Sequence, residues 1–334
     1  MAGVARAKAR IAARCPGLTS LWWYPFARIL RTKPLLLSLQ NEQMEIRRVA
    51  EGEITQKEFY NEYWKKGIPL VFTEASRVWK ATGTFTPDFF RENFADRPTN
   101  VDGTDYTMAE IMDLVEGKDT SRKVPYPCKY HIRGSLPELA GHMDPLDLGY
   151  ARPNWLESRW FQRGNWGNAT ELFIGGPGGQ FPYIHIDYYW LSAWINQLYG
   201  EKEFTVYPRE QAHMMYPDPN DPWKSLINDP ENPDYDRFPL FKGVTPYKFT
   251  IKAGESLYVP FGLWHTARSL TTTMSVAYDL MNAENFMPFL SEVWNFRKGG
   301  NKFKAAAITG YAAMAGALCK IEDVIGVQRK SDKA

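Results

Sequence analysis

The stretch Phe181-Pro182-Tyr183-Ile184-His185-Ile186-Asp187 places the strongest constraint on what this chain can fold into. In an extended strand, side chains at i and i+2 share a face, so His185 and Asp187 present an imidazole and a carboxylate side by side. Trp264-His265, far downstream, would return on a second strand and add another neutral nitrogen. Two histidines and one carboxylate on one face suit an octahedral metal, non-haem Fe(II) above all, with the opposite face open to substrate and oxygen.

His-x-Asp alone is a short pattern that usually marks a hydrogen-bonded pair, so its surroundings carry the weight. Upstream, Glu171-Leu172-Phe173-Ile174-Gly175 is an apolar run that ends in the turn-prone Gly175-Gly176-Pro177-Gly178-Gly179. Downstream, Trp190 to Ile195 and Phe204 to Tyr207 read as strands joined through Gly200, and Ala253 to Gly262 reads as a turn and short strand delivering His265. On the strand opened by Lys202, alternation puts Lys202, Phe204 and Val206 on one inward face. An inward lysine needs an anion, because an unpaired buried charge is strongly disfavoured.

With His185-Ile186-Asp187, Ser192-Ala193-Trp194, Gly200-Glu201-Lys202, Tyr207-Pro208, Gly254-Glu255, Val259-Pro260 and Trp264-His265 in this order, the chain resembles the Jumonji-C oxygenases of the cupin superfamily. The likeness is to their small, lysyl-hydroxylase-like branch and runs from about Ile54 to Asn295. It implies a mainly β fold with flanking helices, a double-stranded β-helix (jelly-roll) barrel with a helical N-terminal buttress and C-terminal helices. It also implies Fe(II) on His185, Asp187 and His265, with 2-oxoglutarate and O2 as cosubstrates and Lys202 on the far carboxylate of 2-oxoglutarate. The reaction would be oxidative decarboxylation to succinate and carbon dioxide, coupled to hydroxylation of a peptide, a protein or a small amine-containing molecule. The rival reading is a non-catalytic cupin that binds a ligand or metal as a scaffold.

Three departures touch the cosubstrate contacts. Where relatives carry a hydroxyl before the metal histidine, this chain has Pro182, with Tyr183 sharing the parity of His185. An expected amide near the metal falls at Ile195, with Asn196 one position on and nominally on the opposite face; an expected hydroxyl falls at Ala277, with Ser275 of the same parity. Tyr183, Asn196 and Ser275 are therefore the candidate contacts beside Lys202, and Arg268 is the alternative anchor.

A chain of 334 residues can bury a sizeable core, and a formal charge of +2 announces no nucleic-acid partner. Cys15, Cys128 and Cys319 lack paired spacing, which argues against a disulfide framework or zinc site and makes a reducing, cytoplasmic compartment the default. Residues 1–41 read as a basic, aromatic arm: seven basic residues precede the first acidic one, Glu42, and Leu21-Trp22-Trp23-Tyr24-Pro25-Phe26 is rich in interface-seeking rings. Membrane-surface contact, organellar targeting and packing on the domain all remain open for it.

Residues 42–283 are expected to form the oxygenase domain, with its barrel core at about 166–283, and 284–334 a helical segment. Helices should start at Thr55, Thr86-Pro87 and Thr107, with a strand over Ile68 to Phe72. His131, His142 and His213 read as structural or surface residues. Pro217 to Pro239, with six acids and six prolines, reads as an irregular loop near the barrel opening, a candidate lid favouring basic substrates. Glu284 to Arg297 and Lys302 to Lys320 read as helices; residues 305–319 are uncharged yet short for a membrane span of ~20 residues, which favours helix packing. Pairing through these helices into a homodimer is what the resemblance implies, with membrane attachment as its rival.

Overall fold

The computed structural model describes residues 44–144, 148–164, 166 and 170–326; the N-terminal arm and Cys15 lie outside them. Among the described residues the strands, in chain order, are β1 (Arg48–Val49), β2 (Leu70–Phe72), β3 (Pro98–Val101), β4 (Thr104–Thr107), β5 (Cys128–His131), β6 (Glu171–Gly175) and β7 (Ser192–Tyr199). There follow β8 (Glu201–Val206), β9 (Pro217–Asp218), β10 (Asp221–Ser225), β11 (Tyr247–Lys252), β12 (Ser256–Val259), β13 (His265–Ser269) and β14 (Thr273–Leu280). The larger sheet runs β1-β2-β12-β7-β14-β6-β5 and the smaller β11-β8-β13. They face each other as a jelly-roll sandwich, and strand pairing among the described residues does not close them into a continuous barrel.

Three threonine caps fix the N-terminal buttress. Thr55 and Thr107 make reciprocal capping boxes with Glu58 and Glu110, starting α1 (Gln56–Phe59, continued as a π-turn Tyr60–Trp64) and α3 (Met108–Val115). Thr86 accepts from the Phe89 amide, and Pro87, which has no N–H to lose, opens α2 (Pro87–Phe94). The buried faces of these helices cover the outside of the larger sheet. Phe59 stands edge-on to Phe72 and Tyr258, with ring centroids at 5.2 and 5.1 Å, and packs on Trp194.

Alternation then separates the two faces of the larger sheet. Trp194 and Leu198 of β7, and Met274, Val276 and Tyr278 of β14, join the helix-covered core. Ala193 of β7 and Leu257 and Val259 of β12 point the other way, where they meet Phe204 and Val206 of β8 and Ala267 of β13 between the sheets. The turn from β7 to β8 depends on Gly200: at φ +72° any Cβ there would stand 2.0 Å from the Thr272 carbonyl oxygen.

Three expectations need correction. The strand read from Trp190 starts later, at Ser192, because Tyr188–Trp190 form a tight turn with Tyr189 and Trp190 at φ 60° and 57°. The segment Phe181–Asp187 bends at Pro182 and Tyr183 before it runs on to the ligands, and it belongs to no full ladder; single bridges tie His185 to His265 and to Lys224. The stretch from Pro217 is not irregular throughout, since β9 and β10 form a hairpin whose backbone bonds to the Ile184–Ile186 segment. The smaller sheet therefore continues, in broken form, through His185 to that hairpin.

At the C-terminal end, α4 (Phe286–Arg297) packs on α5 (Lys302–Val324), where the Phe286 ring lies so close to Gly316 that a Cβ there would meet it at 2.1 Å. No helix among the described residues is long and apolar enough to cross a membrane.

Candidate metal centre

Between the sheets lies a cavity with about 100 Å³ of water-accessible volume. The segment Phe181–Asp187 brings His185 and Asp187 to its wall, and β13 delivers His265 beside them through paired backbone bonds: His185 N–H to His265 O at 2.9 Å, and the reverse at 2.8 Å. One ligand atom from each of the three side chains lies within 4.8 Å of the others, and His265 Nε2 is 3.9 Å from Asp187 Oδ2. The two imidazole rings are 4.4 Å apart, centroid to centroid.

The donor chemistry fits a divalent metal. His265 Nδ1 is 3.0 Å from the Leu263 carbonyl, an arrangement that places a proton on Nδ1 and leaves Nε2 free to coordinate. His185 repeats the pattern more loosely: its buried Nδ1 falls outside strict hydrogen-bond geometry, and the backbone group it is turned to is that of Tyr183, two residues earlier. Burial, reinforced by the neighbouring His265, holds the His185 pKa well below the usual imidazole range and so keeps the ring neutral. Burial pushes the Asp187 pKa up, while His265 pulls it down.

Deeper in the cavity, Lys202 points inward from β8 with 3% of its surface exposed. Its ammonium donates to Ser275 Oγ at 2.5 Å and has no carboxylate partner among the described residues. Burial lowers its pKa to about 7. Phe173 and Phe204 line the same space. Its stem does not bend out to solvent but lies on the inward face that it shares with Phe204 and Val206.

The other candidates divide. Ser275 lines the cavity and holds Lys202. Asn196 does not reach it: Ile195 occupies the inward position, and the Asn196 amide is spent on the Trp194 indole, Ser256 and the Val276 carbonyl. Tyr183 stays outside the lining, edge-on to His185 at 5.8 Å and beneath the Lys224 ammonium. Arg268 faces outward and pairs with Glu203 at 2.7 Å, which removes it as an anchor. His131 and His213 are exposed, and His142 packs on Phe85 and Phe89.

Two cavity residues escaped the sequence reading. Asp279 continues the inward alternation of Ser275 and Ala277, and Glu171 does the same from Phe173. Parity was the available signal. Burial, then the nearby Asp187 and Glu171 carboxylates, raises the Asp279 pKa far above the usual carboxylate range. Further along the insertion, Pro230 and Glu231 lie against Glu203 and Arg268 on the outer face of the smaller sheet, so only the hairpin borders the metal cluster.

A two-sheet jelly roll that gathers two imidazoles and a carboxylate at one cavity is the architecture of a cupin. The chain belongs to the cupin-like domain family, whose model matches residues 99–280. It is 31% identical over 263 residues to JmjC domain-containing protein D of Dictyostelium discoideum, covering 71% of this chain and 56% of that protein. It is 26% identical over 284 residues to lysine-specific demethylase JMJ21 of Arabidopsis thaliana, covering 81% of this chain and 28% of the relative. With the bifunctional arginine demethylase and lysyl-hydroxylase psr-1 of Caenorhabditis elegans it shares 23% identity over 260 residues, 72% of this chain and 62% of that one. The chain thus spans less than two thirds of each of these relatives.

Proposed function

We propose that this protein is an Fe(II)- and 2-oxoglutarate-dependent oxygenase acting on a C–H bond of a peptide or protein side chain. The observation that carries the reading is the pairing, in one cavity, of the His185–Asp187–His265 cluster with a buried lysine that lacks a carboxylate partner among the described residues. A generic metal-binding cupin has no use for the second feature.

Iron and 2-oxoglutarate would supply oxidative chemistry when bound. His185, Asp187 and His265 would hold the metal. Lys202 would neutralise the far carboxylate of the cosubstrate, with Ser275 orienting the ammonium. Phe173, Phe181 and Phe204 keep that arm dry, which strengthens the charge pair. No general base is needed at the target carbon.

The names of the relatives, demethylases and a lysyl-hydroxylase, support a basic side chain as the substrate. Hydroxylation of a ring or chain carbon and removal of an N-methyl group share the same first step, so this site serves either outcome. A non-catalytic scaffold has one observation in its favour, the loss of hydroxyls at Pro182 and Ala277. Succinate release from 2-oxoglutarate in the presence of Fe(II), oxygen and a panel of lysine- and arginine-bearing peptides tests the proposal. Peptide-stimulated succinate is expected; the absence of any turnover, with iron and 2-oxoglutarate both bound, would establish the scaffold instead.

A further inference from the structure

The turn that follows Asp187 carries two bulky residues in the left-handed region, Tyr189 at φ 60° and Trp190 at φ 57°. Such a conformation is costly for aromatic residues and persists only where the surroundings over-determine it. Here they do. Asn285 Nδ2 donates to the Trp190 carbonyl at 2.9 Å, and Tyr189 is carried off to pack on Phe289 and Phe296 of α4. The Trp190 side chain is thereby turned towards the metal cluster's scaffold.

Its ring lies against Gly262, where an added Cβ would stand 2.8 and 3.0 Å from two of its carbons. Gly262 precedes His265 by three residues, as Asp187 precedes Trp190. The same indole meets Trp223 at 5.6 Å, and the Trp223 carbonyl accepts from the Ile186 amide at 3.0 Å. One side chain therefore touches its own loop, the turn that launches His265, and the strand bonded alongside His185.

We propose that Trp190 is a positioning residue, a strut whose fit into the notch at Gly262 sets the separation of Asp187 from His265 and so the affinity and geometry of the metal site. The inference rests on the metal-site reading above. The strain then has a purpose: a relaxed turn would point the ring elsewhere and leave Asp187, two residues beyond the paired His185–His265 backbone bonds, free to drift from His265.

The test uses Co(II) alone as probe, read by its visible absorption bands and by titration, with the full chain and no cosubstrate. Trp190→Gly removes the strut and relieves the strain; the expected result is a folded protein binding Co(II) about 10–100-fold more weakly, with altered bands, as for loss of a residue that orients metal ligands. Trp190→Phe keeps a ring in the notch and should restore most of the affinity. Gly262→Ala fills the notch at a backbone held at φ +72°, and should weaken Co(II) binding alike; adding Trp190→Gly should recover the part of the loss owed to the ring and leave the part owed to backbone strain. A folded Trp190→Gly with wild-type affinity and bands would overturn the strut, provided Asp187→Ala abolishes binding. Wild-type binding by Asp187→Ala would instead overturn the metal site itself. Should Trp190→Gly not fold, Gly262→Ala decides: unchanged Co(II) bands and affinity there would overturn the strut.

Discussion

The two sheets of this molecule are built for different ends. The larger one is regular, with its outer face sealed by capped helices and a continuous aromatic core around Phe59, Trp64, Phe72, Trp194 and Tyr258. The smaller one has a three-stranded ladder and continues only through single bridges to the His185 segment and the β9–β10 hairpin. Yet the smaller one carries His185, Asp187, His265 and Lys202, while the larger contributes the opposite wall, including Ser275 and Asp279. Rigidity and chemistry are thus divided between the sheets, and the reactive side chains are held in register against a wall that does not depend on them.

The sharpest test of that division removes a ligand. Asp187→Ala or His265→Ala should abolish turnover and metal binding while the thermal melt of the metal-free protein stays close to wild type; His213→Ala should leave both untouched. Iron titration beside calorimetry checks this, and a collapse of the metal-free fold in the ligand variants would break the comparison. On the other sheet, Trp194→Ala should cost about 3–5 kcal/mol in urea unfolding, the usual range for deleting a buried large ring. Whatever fraction stays folded should still bind metal.

Lys202→Ala sits between the two. Losing one side of a buried charge pair should weaken 2-oxoglutarate binding by ~2–5 kcal/mol, with metal binding retained, as read by the apparent cosubstrate affinity. An unchanged affinity would point to a different anchor. The smallest effect concerns pH. Burial sets the Lys202 pKa at about 7 before the cosubstrate binds. Below that value the ammonium is already charged and attracts the carboxylate; above it, binding must take up a proton, so affinity should fall by about tenfold per pH unit. This slope should vanish in Lys202→Ala, and a flat profile in the wild-type protein would place the charge elsewhere.

Much of this site was legible because strands alternate. His185 with Asp187, the inward lysine, and the switch of the expected amide position to Ile195 all follow from parity. The caps at Thr55, Thr86 and Thr107 were equally readable, since side-chain oxygens signal helix starts locally. What failed has physical reasons. Asn196 looked polar enough to serve a ligand, but its hydrogen bonds go to Trp194, Ser256 and the Val276 carbonyl on the far face. The hairpin at Pro217–Ser225 was hidden because backbone pairing asks for no apolar pattern, and its acids and prolines suggested a loop. Asp279 was not singled out, although its parity with Ser275 and Ala277 puts it inward. Nothing in the sequence announces that Trp190 is left-handed, because that conformation is imposed by Asn285 and Gly262 from distant parts of the chain.

The mutual backbone bonds between His185 and His265 have a consequence for how the protein is made. They join segments far apart in sequence and so close a long loop, at a cost that grows only slowly with its length and that the neighbouring pairing of β8 with β13 helps to offset. A metal that binds this cluster only in the folded chain would stabilise that state, raising the melting temperature with the logarithm of its free concentration.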